Sequence, residues 1–256
     1  MQVRNVPPVN ARYWTAIIAA SMCGANMGDF FSEYLHLGNA AGVLPLLILF
    51  LAVLWLERRS TRPTEAYYWL AIIVLRTVAT NLADFATHDL RLGYPVIESG
   101  LALILVVLVS VERLWRRGEP RAADTGGIQG VPITDAAYWA AMLTAGTLGT
   151  ASGDFVQGHA GFGLGSGPAS IATGIAFLIV LFLALRIGRM AKSWYWASIV
   201  VARTAGTDMG DFLAGKHGLH LGLPISLTCT ALLLAGIVVL WHGPPPVLQA
   251  VAPGAE

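Results

Sequence analysis

The sequence predicts an all-α integral membrane protein of eight transmembrane helices, and three observations predict it: a composition poor in charge, eight apolar runs, and a fourfold internal repeat. Of 256 residues, 55% are hydrophobic and only 12% charged, whereas a soluble domain covers its surface with about 25% charged residues. Mean hydropathy is +0.64. The net charge of +1 offers no basic surface to a nucleic acid. Cys23 and Cys229 lie far apart inside apolar runs, so neither a disulfide framework nor a thiolate metal site is indicated.

The first run, 13–31, follows Arg4 and Arg12 and contains Asp29. With an acid inside it and no small-residue cleavage site, it reads as a span rather than a removable signal. The second, 42–56, leads into Arg58, Arg59 and Arg62. The third, 67–86, holds Arg76 and Asp84, and the fourth, 96–114, starts near Glu98 and leads into Arg113, Arg116, Arg117 and Arg121. A cytoplasmic linker, 118–136, then divides the chain into a first half, 1–117, and a second, 137–243. The fifth and sixth runs, 138–156 and 168–186, precede Arg186, Arg189 and Lys192; the seventh and eighth are 195–214 and 224–241, with a tail at 244–256. A span needs about 20 residues, so the shorter runs are expected to extend by a few. Twelve basic residues lie at the N-terminus and in the even-numbered loops, against Arg91 and Lys216 in the odd-numbered ones. By the positive-inside rule both termini are expected to be cytoplasmic.

An aromatic pair opens each copy of a two-span unit: Tyr13-Trp14, Tyr68-Trp69, Tyr138-Trp139 and Tyr195-Trp196. Fifteen residues after each Trp stands an Asp followed by Phe: Asp29, Asp84, Asp154 and Asp211. Two spans per unit make the four copies parallel, related by an axis along the membrane normal. The Tyr-Trp pairs are expected to anchor helix ends at the cytoplasmic interface. Fifteen residues at about 1.5 Å each carry the aspartate about 22 Å across, toward the outer end of its helix. Arg76 and Arg203 stand seven residues after the Trp, where Ser21 and Gly146 stand in copies one and three. A duplicated pair, duplicated again, accounts for this as two pseudo-equivalent halves.

Helical spacing sorts the motif into faces. One carries Thr204, Thr207, Asp208 and Asp211 in copy four, Thr77, Thr80, Asn81 and Asp84 in copy two, Thr147, Thr150 and Asp154 in copy three, and Asn26 with Asp29 in copy one. A carboxylate facing lipid costs at least about 2.5 kcal/mol, so this face must meet protein or water. The neighbouring face pairs small residues (Gly24 with Gly28, Ala79 with Ala83, Gly149 with Gly153, Gly206 with Gly210), a spacing that lets another helix approach closely. Arg76 and Arg203 are expected in these helix contacts.

Six acids at membrane depth (Asp29, Asp84, Asp154, Asp208, Asp211 and Glu98) stand against two arginines. Buried acids beyond those that pair must take up protons or bind a cation. His36, His88, His159, His217 and His220 occupy the four outward hairpins. With Glu33 and Asp89 they suggest a vestibule for a transition metal. No Walker loop, dinucleotide fingerprint or nucleophile elbow is present, so neither an enzyme nor a cofactor is expected.

The Trp of each copy, together with Gly28-Asp29, Ala83-Asp84, Gly153-Asp154 and Gly210-Asp211, resembles a family of bacterial multi-pass inner-membrane proteins built from four tandem two-helix repeats of unknown function. The resemblance implies the architecture and an inner-membrane location, and no substrate. Ala83 and the less polar copy one depart from its pattern. The expected function is transport of a cation, a divalent metal such as manganese, with protons as possible exchange partners. Asp29, Asp84, Asp154, Asp208, Asp211, Asn26 and Asn81 are the candidate ligands; the threonines, Arg76, Arg203 and Glu98 support them. A structural or assembly protein, or an intramembrane enzyme acting on a lipid-soluble substrate, stays open as an alternative.

Overall fold

The computed structural model describes residues 3–61, 64–115, 132–186, 192–215, 218–241 and 247–248. Most of the linker and the tail, and with them several of the basic loop residues and His217, lie outside the described residues. Among the described residues eight α-helices follow in order: α1 (Ala11–Asp29), α2 (Asn39–Arg59), α3 (Glu65–Asp84), α4 (Tyr94–Trp115), α5 (Ala136–Gln157), α6 (Ser166–Arg186), α7 (Lys192–Ala214) and α8 (Leu223–Leu240). Asn10 and Asp135 cap α1 and α5, accepting from the Tyr13 and Tyr138 amides at 3.0 and 2.9 Å.

The odd-numbered helices form a closed inner ring. α1 packs on α3, α3 on α5, α5 on α7, and α7 back on α1. Small residues make this possible. A Cβ added to Gly24 would lie 2.3 Å from Cβ of Arg76; one on Gly149 would lie 2.6 Å from Cβ of Arg203, and one on Gly206 2.3 Å from Cβ of Ser21. The fourth junction reverses the sizes, with Ala79 against Gly146. The expected small-residue contacts are therefore helix-to-helix contacts around the ring.

Each even-numbered helix covers the odd helix of the next copy rather than its own. α2 lies on α3, α4 on α5, α6 on α7, and α8 closes the circle on α1. Their outward faces expose large apolar side chains such as Leu44, Leu103, Phe182 and Leu232. Five helices (α2, α3, α4, α6 and α8) are long and apolar enough to cross a membrane. The other three, α1, α5 and α7, carry glycine and polar residues that they bury inside the ring.

Helix ends differ between copies. After α1 and α3 the chain continues as π-helical turns, Phe30–Tyr34 and Phe85–Asp89. It then reverses at the left-handed residues His36 and Arg91 (φ 56° and 52°), seven positions after the aspartate. In copies three and four the left-handed residues are Gly163 and His220 (φ 64° and 56°), nine positions after it.

Two short strands, β1 (Asn5–Val6) and β2 (Val247–Leu248), pair antiparallel, so both described chain ends lie at the same end of the bundle. The segment leading into α1 is tied there. Val3 and Val6 are buried, the Val3 amide donates to Thr134 Oγ1 at 2.9 Å, and Arg4 pairs with Glu57 at 3.2 Å.

Candidate functional site: an aspartate-lined cavity

Residues four apart form the inner row of each odd helix. In copy two the row reads Tyr68, Ile72, Arg76, Thr80, Asp84; in copy one Tyr13, Ile17, Ser21, Ala25, Asp29; in copy three Tyr138, Met142, Gly146, Thr150, Asp154; in copy four Tyr195, Ile199, Arg203, Thr207, Asp211. Stacked across four helices, these rows make five layers.

The first layer is a closed ring of tyrosine hydroxyls. Tyr13 meets Tyr68 at 3.1 Å and Tyr195 at 2.6 Å, and Tyr138 meets Tyr68 at 2.7 Å and Tyr195 at 3.2 Å. Each Tyr also packs on the Trp of the next copy: Tyr13 on Trp69, Tyr68 on Trp139, Tyr138 on Trp196 and Tyr195 on Trp14. None of the eight rings is more than 4% exposed. This overturns the expectation that they anchor the chain at a membrane interface. They form the buried floor of the ring, and their aromatic area explains why four identical pairs are needed. Above them Ile17, Ile72, Met142 and Ile199 make a fully buried apolar layer.

Arg76 and Arg203 fill the third layer from opposite sides of the ring. Ser21 and Gly146, on the other diagonal, leave them room: a Cβ on Gly146 would lie 3.8 Å from Nη1 of Arg76. Arg203 reaches across the axis. Its Nε donates to Thr150 Oγ1 at 3.0 Å, its Nη1 to the Ser21 carbonyl at 2.6 Å, and its Nη2 to the Arg76 carbonyl at 3.3 Å and to Thr80 Oγ1. Arg76 touches the Met142 sulfur at 3.7 Å, while its Nε and Nη1 have no hydrogen-bond partner among the described residues. The ion pairs among the described residues are Arg4–Glu57, Arg12–Glu65 and His88–Asp84. Neither central arginine is paired with an acid among the described residues. They are therefore axial groups as well as neighbours in the helix contacts where they were expected.

The last two layers line a cavity of about 710 Å³. Asp29, Asp84, Asp154 and Asp211 all face it, with Ala25, Thr80, Thr150 and Thr207 one turn below and Ser32, Glu33, His88 and Asp89 around the mouth. Gln157 donates to Asp211 Oδ2, and His88 Nδ1 lies 3.9 Å from Asp84 Oδ1. Oδ2 of Asp154 and Oγ1 of Thr207 are buried and have no hydrogen-bond partner among the described residues. At about 30 Å³ per water the space suits a hydrated ion. Among the described residues, no group of three or more His, Cys, Asp or Glu is close enough together to hold a bare metal ion. The carboxylates surround the space and do not meet at a point.

Other expected ligands go elsewhere. Asn26 donates to Ser226 of α8 at 2.6 Å, and Asp208 accepts from Thr173 of α6 at 2.8 Å. The Asn81 amide lies against Gly42 of α2. Asn26 and Asp208 thus tie covering helices to the ring, the Asn81 amide is buried against α2 with no hydrogen-bond partner among the described residues, and none of the three lines the cavity. Copy three makes the same junction with apolar residues, Ala151 beside Ile97. Thr77, Thr147 and Thr204 donate to the carbonyls of Ile73, Leu143 and Val200 in their own helices. Glu98 lies beside Ser152 of α5 and does not line the cavity. Of the hairpin histidines, His88 lines the cavity, whereas His36, His159 and His220 are exposed and stand outside it.

The tyrosine ring and the apolar layer were missed. The signal was present as the four-residue spacing of Tyr, Ile or Met, and Asp, but only the Tyr-to-Trp and Trp-to-Asp spacings stood out.

No curated protein and no solved structure matches the chain. A family repeat matches four times, at residues 12–63, 67–117, 137–190 and 194–244. These segments coincide with the helix pairs α1–α2, α3–α4, α5–α6 and α7–α8, and the chain belongs to the family described as Repeat of Unknown Function (DUF347).

Proposed function

We propose that this protein is a membrane transporter for a cation, a divalent metal such as manganese, and that the ion binds among Asp29, Asp84, Asp154 and Asp211. The observation that carries this is the convergence of four repeat carboxylates on one cavity, with no arginine or lysine among the described residues paired to any of them. Unsatisfied oxygens on Asp154 and Thr207 in the same cavity support it, because a buried acceptor without a donor is costly unless a cation or proton serves it. Oxygen ligands suit manganese, magnesium or calcium, and His88 at the mouth favours manganese.

All eight helices cross the bilayer in this reading. The apolar outer faces meet lipid, the polar rows of α1, α5 and α7 hide within the ring, and the four copies fall into two similar halves. The chain ends, at the tyrosine end of the bundle, face the cytoplasm of a bacterial inner membrane, and the aspartate cavity opens outward. Even spans and the basic loops support that orientation. Arginine, isoleucine and tyrosine layers close the axis below the cavity, which favours a carrier over an open pore.

Uptake of manganese, magnesium and calcium by vesicles holding purified protein tests this. Asp211→Asn is expected to lower uptake of the transported ion at least tenfold; unchanged flux for every ion would reject the proposal. Two observations favour a second reading, a purely structural protein. The carboxylates do not form a ready-made metal site, and Asp211 already has a donor in Gln157. In that case Asp211→Asn lowers thermal stability and leaves flux unaltered.

A further inference from the structure

We propose that Arg203, backed by Arg76, acts as a tethered cation beneath the aspartates and sets how many ions the cavity takes and how tightly. This rests on the cation reading of the cavity and adds the residue that tunes it.

The geometry carries the inference. Arg203 is 0% and Arg76 1% exposed, and neither has a carboxylate within ion-pair distance among the described residues. Every acceptor that Arg203 uses is neutral: the Ser21 and Arg76 carbonyls and the hydroxyls of Thr80 and Thr150. Those two threonines themselves line the cavity, directly below the aspartate layer. The guanidinium is thus one residue layer from the carboxylates and shielded from water.

Two buried positive charges that lack a contacting acid are expensive unless opposite charge stands nearby. The aspartate layer supplies it, across the threonines. The four aspartates, with Glu33 and Asp89 at the mouth, outnumber the two guanidiniums, and a divalent ion balances part of the remaining negative charge. Without the arginines the same cavity would lose this partial compensation and would take more cation charge or bind it tighter. Arg203 therefore limits the cation charge that the cavity takes and weakens its hold, as release during transport requires.

The role predicts a gain on removal, where a merely structural arginine predicts a loss. Purified full-length protein in detergent is titrated calorimetrically with manganese chloride alone, comparing wild type, Arg203→Lys and Arg203→Gln, with thermal unfolding measured in parallel. Removing one charge at this range in a low-dielectric interior is worth about tenfold or more in affinity for a divalent ion. Arg203→Gln is expected to bind manganese at least about tenfold more tightly, or at more than one ion per chain, even if its unfolding temperature falls. Arg203→Lys, which keeps the charge, is expected to stay within about threefold of wild type. Binding by wild type with unchanged or weaker affinity in Arg203→Gln would overturn the arginine's role and leave the cation site standing. No binding by either protein up to millimolar manganese would overturn both.

Discussion

The hydroxyls of Tyr13, Tyr68, Tyr138 and Tyr195 each have one hydrogen to give and a lone pair to receive one, so a ring of four satisfies itself inside a buried layer. Removing one oxygen leaves a neighbour without a partner. Tyr13→Phe is expected to destabilise the protein by about 1–3 kcal/mol in thermal unfolding. Replacing all four by Phe removes donors and acceptors together, and should cost less than four times the single change. Strict additivity would contradict a closed ring. At this scale the sequence was partly legible. The Trp-to-Asp spacing placed the four aspartates in one layer. The direction of Arg76 and Arg203 was not, because residues seven and ten positions after the Trp share a helix face. Whether a long side chain there stays in the contact or turns to the axis depends on the space that Ser21 and Gly146 leave, which is a property of the opposite diagonal. The same holds for Asn26, Asn81 and Asp208, one residue further round than the cavity-lining row.

Between elements, the telling feature is the shift by one copy. Each covering helix leaves its own odd helix and lies on the next, so α8 must return to α1 for the ring to close. Arg12 secures that closure. It pairs with Glu65 at the start of α3 and donates to the Val238 carbonyl of α8 at 2.7 Å and the Ile237 carbonyl at 3.4 Å. One guanidinium thereby joins three helices and serves the unpaired carbonyls at the end of α8. Arg12→Ala strands a largely buried carboxylate and those carbonyls, and a loss of about 3–5 kcal/mol in unfolding free energy is expected. A loss below about 1 kcal/mol would mean that α8 is held by apolar packing alone. The helix pairs and their boundaries were readable from apolar runs and turns. The shift was not: α2, α4, α6 and α8 are predominantly apolar, and an apolar surface does not name the odd helix it covers. Single residues such as Ser226, Thr173 and the small Gly42 distinguish one junction from another, and their partners lie up to two hundred residues away.

At the scale of the whole molecule, polarity is inverted relative to a soluble bundle. Large apolar side chains cover the outside, while carboxylates, threonines and two arginines occupy the centre. Three of the inner helices fall short of ordinary membrane hydropathy because their polar rows face each other across the axis. Fourfold repetition is what turns a single Asp per unit into four around one cavity. Crystals of the protein soaked with manganese and measured at the metal's absorption edge give the most direct test. One anomalous peak is expected within the space bounded by Asp29, Asp84, Asp154 and Asp211. A map with that space empty at saturating manganese, or with peaks only on surface histidines, would contradict a cation site at the heart of the ring.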